Sequence, residues 1–483
     1  MITPSLNTTV GLANLCVHGH FYQPPREDPF TGLVAQEPGA APYSNFNERI
    51  AEECYRPNAE AGNFAAMSFD MGPTLGAWLE RAHPDVYQRI LESECQHMQR
   101  YGVSNALAQA YNHTILPLAN ARDKRTQIVW GLQDYRHRYG HDAHGMWLAE
   151  TAVDMETLDI LAECGIAYTV LAPWQAVADI DRTEPYSVRL HSGRTITVIF
   201  YRDPASGEVS FHDEVTQDAN QFVRDELFKH LNQGKCAVQQ PQLLLIATDG
   251  ELYGHHKPYR NQFLSWLLHK SAAAYGFEVC ALERYLRQHP ARREVQLQVP
   301  SAWSCAHGIA RWSTGCSCTQ GDGSWKGLLR QALTNLSEQA SNLYERYAAE
   351  TLYDPWAARN GYLALRNGWE SAEGFWARYG KHDVTNDITL ILRTHHLLEA
   401  QYYLQLSFTS CGFFFEDIDR IEPRNNIAFA RKAASLMWQA LGVDLQQGFV
   451  QDLQQARSWR TQRTGADLYR ELPVLPQGLL PPG

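Results

Sequence analysis

LANLCVHGHFYQPPR, Leu12 to Arg26, joins an apolar run to two histidines, a glutamine and two prolines. Leu12 to His18 has the length and apolar content of a short buried strand. The residues after it are polar and titratable. In a parallel α/β barrel the reactive groups collect at the C-terminal ends of strands, so the ends of the other strands are the places to look.

Beyond this segment, Ala65 to Phe69 reads as a second strand, followed by a helix from Pro73. Asn105 to Tyr111 is a third strand. Lys124 to Tyr139 has helical spacing, and Gly145 to Leu148 follows as a strand. Asp154 to Glu163 reads as a helix stopped by Gly165. Tyr168 to Leu171, Thr195 to Tyr201 and Leu243 to Ala247 are further strands, with helices over Asn220 to Leu231 and Pro258 to Ala274. Strands alternating with helices predict an α/β fold with a parallel sheet, and about seven of them predict an incomplete (β/α)7 barrel of the TIM type. From Ser324 the pattern turns helical, over Ser324 to Tyr347, Asp387 to Leu406 and Asn426 to Leu441, with Leu406 to Phe408 a lone strand signal. The expected organisation is a catalytic barrel over 1–300 and a mainly α-helical C-terminal region over 301–483 that contributes to the active-site rim. The Pro- and Leu-rich end, Leu472 to Gly483, reads as an extended strap. Gln23 to Gly62 is too long for an ordinary connection, and its aromatics Phe30, Tyr43, Phe46 and Tyr55 predict an ordered lid.

Composition excludes several classes. Asp and Glu number 53 against 42 Lys and Arg, a net charge of −11, and the basic residues are scattered. That is the wrong balance for nucleic-acid binding, which needs a basic face. No apolar run is long enough to cross a membrane, and the first residues lack the charged start and apolar stretch of a secretory signal. Ten cysteines spread from Cys16 to Cys411 predict a reduced, cytoplasmic protein rather than a disulfide scaffold. The oligomeric state stays open.

Four strand ends carry chemistry: His18 to Arg26, Asn112-His113, Trp147 to Glu150, and Asp249 to His256. Glu150 and Asp249 are the natural pair, since glycoside cleavage uses two carboxyl groups flanking the bond. Glu251, two residues from Asp249, would face the same side of an extended segment and raise one of the two pKa values, unless Gly250 breaks the strand. His18 and His20 suit either a substrate hydroxyl or a metal, and His113 suits a hydrogen-bonding wall.

These residues are similar to glycoside hydrolase family 57. HGHFYQPPR, His18 to Arg26, resembles that family's first motif; NHTILP, Asn112 to Pro117, its second; WLAE, ending at Glu150, its third; and DGELYGHH, from Asp249, its fourth. The order and spacing agree over residues 12 to 260. Two departures stand out: Phe21 and Tyr22 separate His20 from Gln23, and the fifth motif has only Ser304 to Gly308 as a counterpart. The resemblance implies a (β/α)7 barrel, a retaining mechanism on α-glucans or oligosaccharides, and no metal or cofactor. It implies Glu150 as nucleophile and Asp249 as acid/base, with carboxyl groups about 5–5.5 Å apart. Substrate contacts are then expected from His18, His20, Gln23, His113, Trp147, Glu251, His255, Trp303 and His307.

Two rival functions stay in play. One is a metal-dependent carbohydrate hydrolase or deacetylase with His18, His20, Asp249 and His255 as ligands. The other is a catalytically silent glycan-binding protein. Separately, Cys305, His307, Cys316 and Cys318 fall within 14 residues and could ligate zinc or simply form a buried, reduced loop. Trp147, Trp303 and Trp312 are the aromatic side chains best placed in sequence to stack on a sugar ring.

Overall fold

The computed structural model describes residues 13–382 and 387–472, so the expected strap after Leu472 lies outside the described residues. Ten strands occur among them: β1 Ala13–Phe21, β2 Ser68–Met71, β3 Ala106–Gln109, β4 Met146–Trp147, β5 Tyr168–Leu171, β6 Tyr186–Arg189, β7 Thr195–Phe200, β8 Gln242–Asp249, β9 Glu278–Val279 and β10 Arg293–Glu294. β4, β3, β2, β1 and β8 pair in parallel in that order. β5 and β7 pair in parallel in a second sheet, which also holds β6 and β10. A bridge between Gly145 and Tyr168 links β4 to β5. The Arg202 N–H donates to the Leu245 carbonyl at 2.7 Å and links the end of β7 to β8. Seven parallel strands thus go round as a (β/α)7 barrel whose ladder thins to single contacts at two joints.

At the β4 joint a Cβ on Gly145 would lie 2.3 Å from the Tyr168 ring, so this position requires glycine. Inside the barrel the core gathers Cys16, Leu107, Trp147, Val170, Ile199, Leu243, Leu245 and Ala247. Side chains alternate along a strand, so the residues two and four beyond Cys16, namely His18 and His20, share its inward face. Asp249 likewise shares the face of Leu245 and Ala247. The apolar floor therefore passes into a polar layer at the C-terminal ends of the strands.

The chain divides into two compact units: 1–23, 36–111 and 134–303 form the first, and 24–35, 112–133 and 304–483 the second. The barrel is the first. The second is helical, and within it Ile388–Leu406 packs along Ile421–Leu441. There Arg359 is fully buried and bonds Asp123 at 2.8 Å, Thr126 at 2.8 Å and Gln401 at 3.0 Å, so segment 112–133 is held by a satisfied charge. Leu406 to Phe408 is no strand; it closes the helix Ile388–Leu406 and turns into the short helix Cys411–Phe414.

The second half of the long connection after β1 is helical. Phe46–Ile50, the π-helical Ala51–Tyr55 and Arg56–Glu60 follow one another without a break. Asn45 caps the start, accepting from the Glu48 N–H at 3.0 Å. Pro57 lies inside this continuous run, just after the π turn whose wider loop accommodates a residue without an N–H. A proline inside a polar stretch resembles a loop signal for that reason. β6 is a short strand, antiparallel to β7, in which buried Tyr186 and Val188 alternate with the more exposed Ser187 and Arg189.

This helix fixes the loop after β8. Asn58 donates to the Tyr253 carbonyl at 2.7 Å, and the Cys54 thiol lies 3.4 Å from the Gly250 carbonyl oxygen. Gly254 has φ +135°, and a Cβ there would lie 2.1 Å from the Glu53 carbonyl oxygen. Gly254→Ala is therefore expected to destabilise the chain by about 3 kcal/mol in denaturant unfolding. Gly207→Ala, in the helix Asp203–Phe211 with open space around it, should instead stabilise by up to about 1 kcal/mol.

Candidate active site

Three neighbouring strands set their ends in register. His20 lies opposite Asp70 on β2 and opposite Asp249 on β8. Asp70 is fully buried and bridges the two histidines: its Oδ1 meets His18 Nε2 at 2.8 Å and its Oδ2 meets His20 Nδ1 at 2.8 Å. His18 Nδ1 lies 3.1 Å from Ser68 Oγ. Gln109 on β3 donates to the Phe21 carbonyl at 3.1 Å and contacts Asp70 Oδ2. Trp147 lies flat against both imidazoles, with ring centroids 4.7 Å from His18 and 5.2 Å from His20.

These charges set one another. Burial disfavours a charged imidazole, but Asp70, with Asp249 and Glu251 behind it, outweighs burial and raises His20 to about 9. His20 is thus an imidazolium at neutral pH. In return, although burial pushes the Asp70 carboxyl up, the two histidines hold it below its ordinary value.

Glu150 follows β4 in a left-handed conformation, φ 57° and ψ 21°, and Thr151 after it has φ 49°. For residues with a Cβ, and for a β-branched threonine above all, this costs about 1–2 kcal/mol each. The surroundings hold it in place. Gln175 accepts from the Thr151 hydroxyl at 2.9 Å and donates to the Thr151 carbonyl at 2.9 Å and to Ser301 Oγ at 3.0 Å. Trp303 clasps Glu150 twice: its N–H donates to the Glu150 carbonyl at 3.0 Å, and its indole Nε1 donates to Glu150 Oε2 at 2.9 Å. The Trp303 ring stands edge-on to Trp147, with centroids 5.2 Å apart. Backbone strain over-determined in this way is a mark of functional sites.

Asp249 ends β8 as an exposed carboxylate, and Gly250 then turns the chain. Glu251 is buried and accepts from the Tyr55 hydroxyl at 2.7 Å and the Tyr22 N–H at 3.1 Å. Burial first, and the Asp249 charge after it, raise its carboxyl to about 7, against the pull of Tyr55 and His20.

The first unit thus brings together His18, His20, Trp147, Glu150, Trp303, Asp249 and Glu251. Gln23 is buried beside them, its carbonyl accepting from the Thr74 hydroxyl at 2.7 Å and its side chain meeting Tyr55. His255 is tied to Glu53, its Nδ1 2.6 Å from the carboxylate. His113 and His307 belong to the second unit: His113 Nδ1 meets Ser410 Oγ at 2.7 Å, and His307 lies beside Cys318. Trp147 is fully buried under the histidines, and Trp312 is buried against Phe414, so neither offers an open face to a ring. Sequence reasoning misses Asp70, Ser68, Gln109 and Tyr55. Asp70 has a signal, for it directly follows the apolar run Ala65 to Phe69 as the other strand-end carboxylates follow theirs.

The metal-hydrolase alternative needs His18, His20, Asp249 and His255 to converge. Here Asp70 and Ser68 take the ring nitrogens of His18, Asp70 takes Nδ1 of His20, and Glu53 takes Nδ1 of His255. Among the described residues, the donor group close enough to share one ion is a different one, Cys305, His307, Cys316 and Cys318.

The sequence profile of glycosyl hydrolase family 57 matches residues 23–298, and a domain of unknown function, DUF3536, matches residues 322–479. The 4-alpha-glucanotransferase of Thermococcus litoralis is 30% identical over 168 residues, 32% of this chain and 24% of that protein. An alpha-amylase of Pyrococcus abyssi is 29% identical over 136 residues, 27% of this chain and 20% of that protein. The chain therefore spans a quarter or less of the length of these curated relatives. Among solved structures, an exo-type maltose-forming amylase from Pyrococcus sp. ST04 aligns with a TM-score of 0.73 at 14% identity, covering 95% of this chain and 88% of that one. A GH57 branching enzyme from Thermococcus kodakaraensis aligns with a TM-score of 0.63 at 13% identity, covering 94% and 96%. At these identities the likeness shows a shared fold.

Glu251 supplies a test of the electrostatics. Its carboxyl binds a proton more tightly in the folded chain, at about 7, than at its ordinary value of 4.5. Its contribution to stability is therefore full below the ordinary value and lost as pH rises through the folded one. Glu251→Gln removes that loss. The stability of the variant relative to the native chain is expected to rise by about 3 kcal/mol between about pH 4 and pH 8 in denaturant titrations. A pH-independent difference would contradict the assignment.

Proposed function

The chain belongs to glycosyl hydrolase family 57, and we propose that it is a retaining glycoside hydrolase or transglycosidase acting on an α-glucan or oligosaccharide. The observation that carries this reading is Glu150, held in a strained backbone with its carboxylate on Trp303 Nε1, in the same barrel that ends β8 on Asp249. Glu150 attacks the anomeric carbon and forms a glycosyl ester as the C–O bond to the leaving group breaks. Asp249 gives its proton to the leaving oxygen, then takes one from the incoming water or sugar hydroxyl. Exposure of Asp249 suits this exchange, since both partners arrive from solvent.

His20, charged and fixed by Asp70, presents a positive hydrogen-bond donor beside Asp249 and contributes to holding the reacting ring. Glu251, with Tyr55 and Gln23, contributes to the wall behind it. A neutral sugar needs no electrostatic steering, which fits a chain of net charge −11. Among the described residues no helix is long and apolar enough to cross a membrane. Among the described residues no disulfide joins the ten cysteines, and a reducing, cytoplasmic setting is part of this proposal.

The decisive experiment incubates the chain with maltooligosaccharides, glycogen and trehalose and resolves the products by size. Net shortening marks a hydrolase, and redistribution of chain lengths marks a transferase. Glu150→Gln and Asp249→Asn should each lower kcat by about 10²–10⁴-fold. With a substrate whose leaving group departs without a proton, such as a glycosyl fluoride, Asp249→Asn should also accumulate a sugar covalently bound to the Glu150 peptide, seen by mass spectrometry. Turnover within tenfold of the native chain in Glu150→Gln would overturn the mechanism. Glycan binding without turnover in the native chain would favour the silent binding protein.

A further inference from the structure

In the second unit, among residues that the glycosidic chemistry does not use, four soft donors converge. Cys305 Sγ lies 3.6 Å from Cys316 Sγ and 4.0 Å from Cys318 Sγ, and Cys318 Sγ lies 3.4 Å from His307 Nδ1. All four ligand atoms fall within 4.8 Å of one another. A tetrahedral zinc with bonds of about 2.3 Å to sulfur and 2.0–2.1 Å to nitrogen has sulfur–sulfur edges of about 3.8 Å and sulfur–nitrogen edges of about 3.5 Å. Three of the six donor–donor distances match those edges, and the other three reach at most 4.8 Å. We propose that Cys305, His307, Cys316 and Cys318 form a closed Cys3His site for one zinc ion, which pins the segment leading into the helix Trp325–Ala348.

The backbone explains how one-residue gaps suffice. Cys305-Ala306-His307 and Cys316-Ser317-Cys318 flank a single helical turn, Ala310–Ser313. Gly308 at φ 73° and Gly315 at φ 83° reverse the chain on either side of that turn, which no side-chain-bearing residue does cheaply. A Cβ on Gly315 would lie 2.5 Å from the Gly323 carbonyl oxygen, so the loop closes tightly on itself. Arg311 donates to the Cys318 carbonyl at 2.7 Å and the Thr319 N–H to the Cys316 carbonyl at 3.3 Å, fixing the second pair. The donors face one another across the turn, where the usual two-to-four-residue spacing would place them within one knuckle.

Charge agrees with this. Binding releases three thiol protons, and three thiolates, one neutral imidazole and Zn²⁺ leave a net charge of −1. Lys326 is fully buried nearby, its ammonium 3.4 Å from Thr319 Oγ1 and 3.4 Å from the Phe414 carbonyl oxygen, and it interacts electrostatically with Cys305 and Cys316. A buried ammonium is costly unless a negative charge answers it. Glu416 answers it in part, and the zinc complex supplies a further negative charge. Four protein ligands leave no open position, so the role is structural, and the proposed glycosidic chemistry does not pass through the metal.

The test uses the full chain, expressed with zinc, dialysed against metal-free buffer and analysed for metal. One zinc per chain is expected, with X-ray absorption giving three sulfur neighbours and one nitrogen. Cobalt loaded in place of zinc should show the intense visible absorption of a tetrahedral thiolate site. Cys316→Ser/Cys318→Ser should retain less than a tenth of an equivalent, while Cys95→Ser, at an exposed cysteine outside the cluster, should keep it all. The native chain's metal content and the cobalt spectrum do not depend on the variants folding. Less than a tenth of an equivalent in the zinc-loaded native chain overturns the proposal. So does a Cys305–Cys316 disulfide in protein purified without reductant and with zinc present.

Discussion

The barrel mouth is organised around the buried carboxylate of Asp70. An isolated charge at that depth would be expelled by desolvation. Here it bonds the imidazoles of both His18 and His20, so the cost is met inside the cluster. The bond also fixes ring planes: Trp147 stacks on both imidazoles, 18° from the plane of His18 and 21° from that of His20. Trp147 in turn meets Trp303 edge-on, and Trp303 holds the carboxylate of Glu150. A line of contacts therefore runs from a buried aspartate on β2 to a partly exposed glutamate after β4. Moving the first member would tilt each of the others.

A second constraint comes from backbone geometry. Glu150 and Thr151 occupy a region that L residues avoid, and Gln175, Ser301 and Trp303 hold them there. On the other side of the barrel, Gly254 allows the loop after β8 to lie against the helical turn around Glu53. One carboxylate stands on strain and the other precedes a glycine-relieved turn. The two segments are thus fixed by opposite means, and each by residues distant in sequence. The helical insertion after β1 supplies Cys54, Tyr55 and Asn58 to the β8 loop. Its role in the first unit is that of a wall bonded to the site.

Much of this is legible in the chain. Apolar runs ending in His18, Trp147 and Ala247 mark β1, β4 and β8, because a strand buried in a parallel sheet has little choice but to be apolar. The helices Met155–Glu163, Trp325–Ala348 and Ile388–Leu406 carry both their period and their ends. The helical character of 46–60 is hidden, since Pro57 and scattered charges read as loop until a π turn is allowed for. Asp70 carries the strand-end signal, directly after Phe69, but its bridge between His18 and His20 is hidden, because that depends on the register of β1 and β2. Which of Asp249 and Glu251 is buried cannot be decided from spacing, as Gly250 permits either.

The linear chain carries the alternation of strands and helices, the change to a helical second half, and the residue types waiting at strand ends. These are local properties, set by period, length and caps. Folding in three dimensions is what joins His18 to His20 through Asp70, brings Trp303 back to Glu150, and makes Trp147 a buried support. It also brings Cys305, His307, Cys316 and Cys318 within 4.8 Å. Such pairings join residues far apart along the chain, or reversed across a tight turn. No period records them, because they exist only once burial has forced each polar group to find its partner.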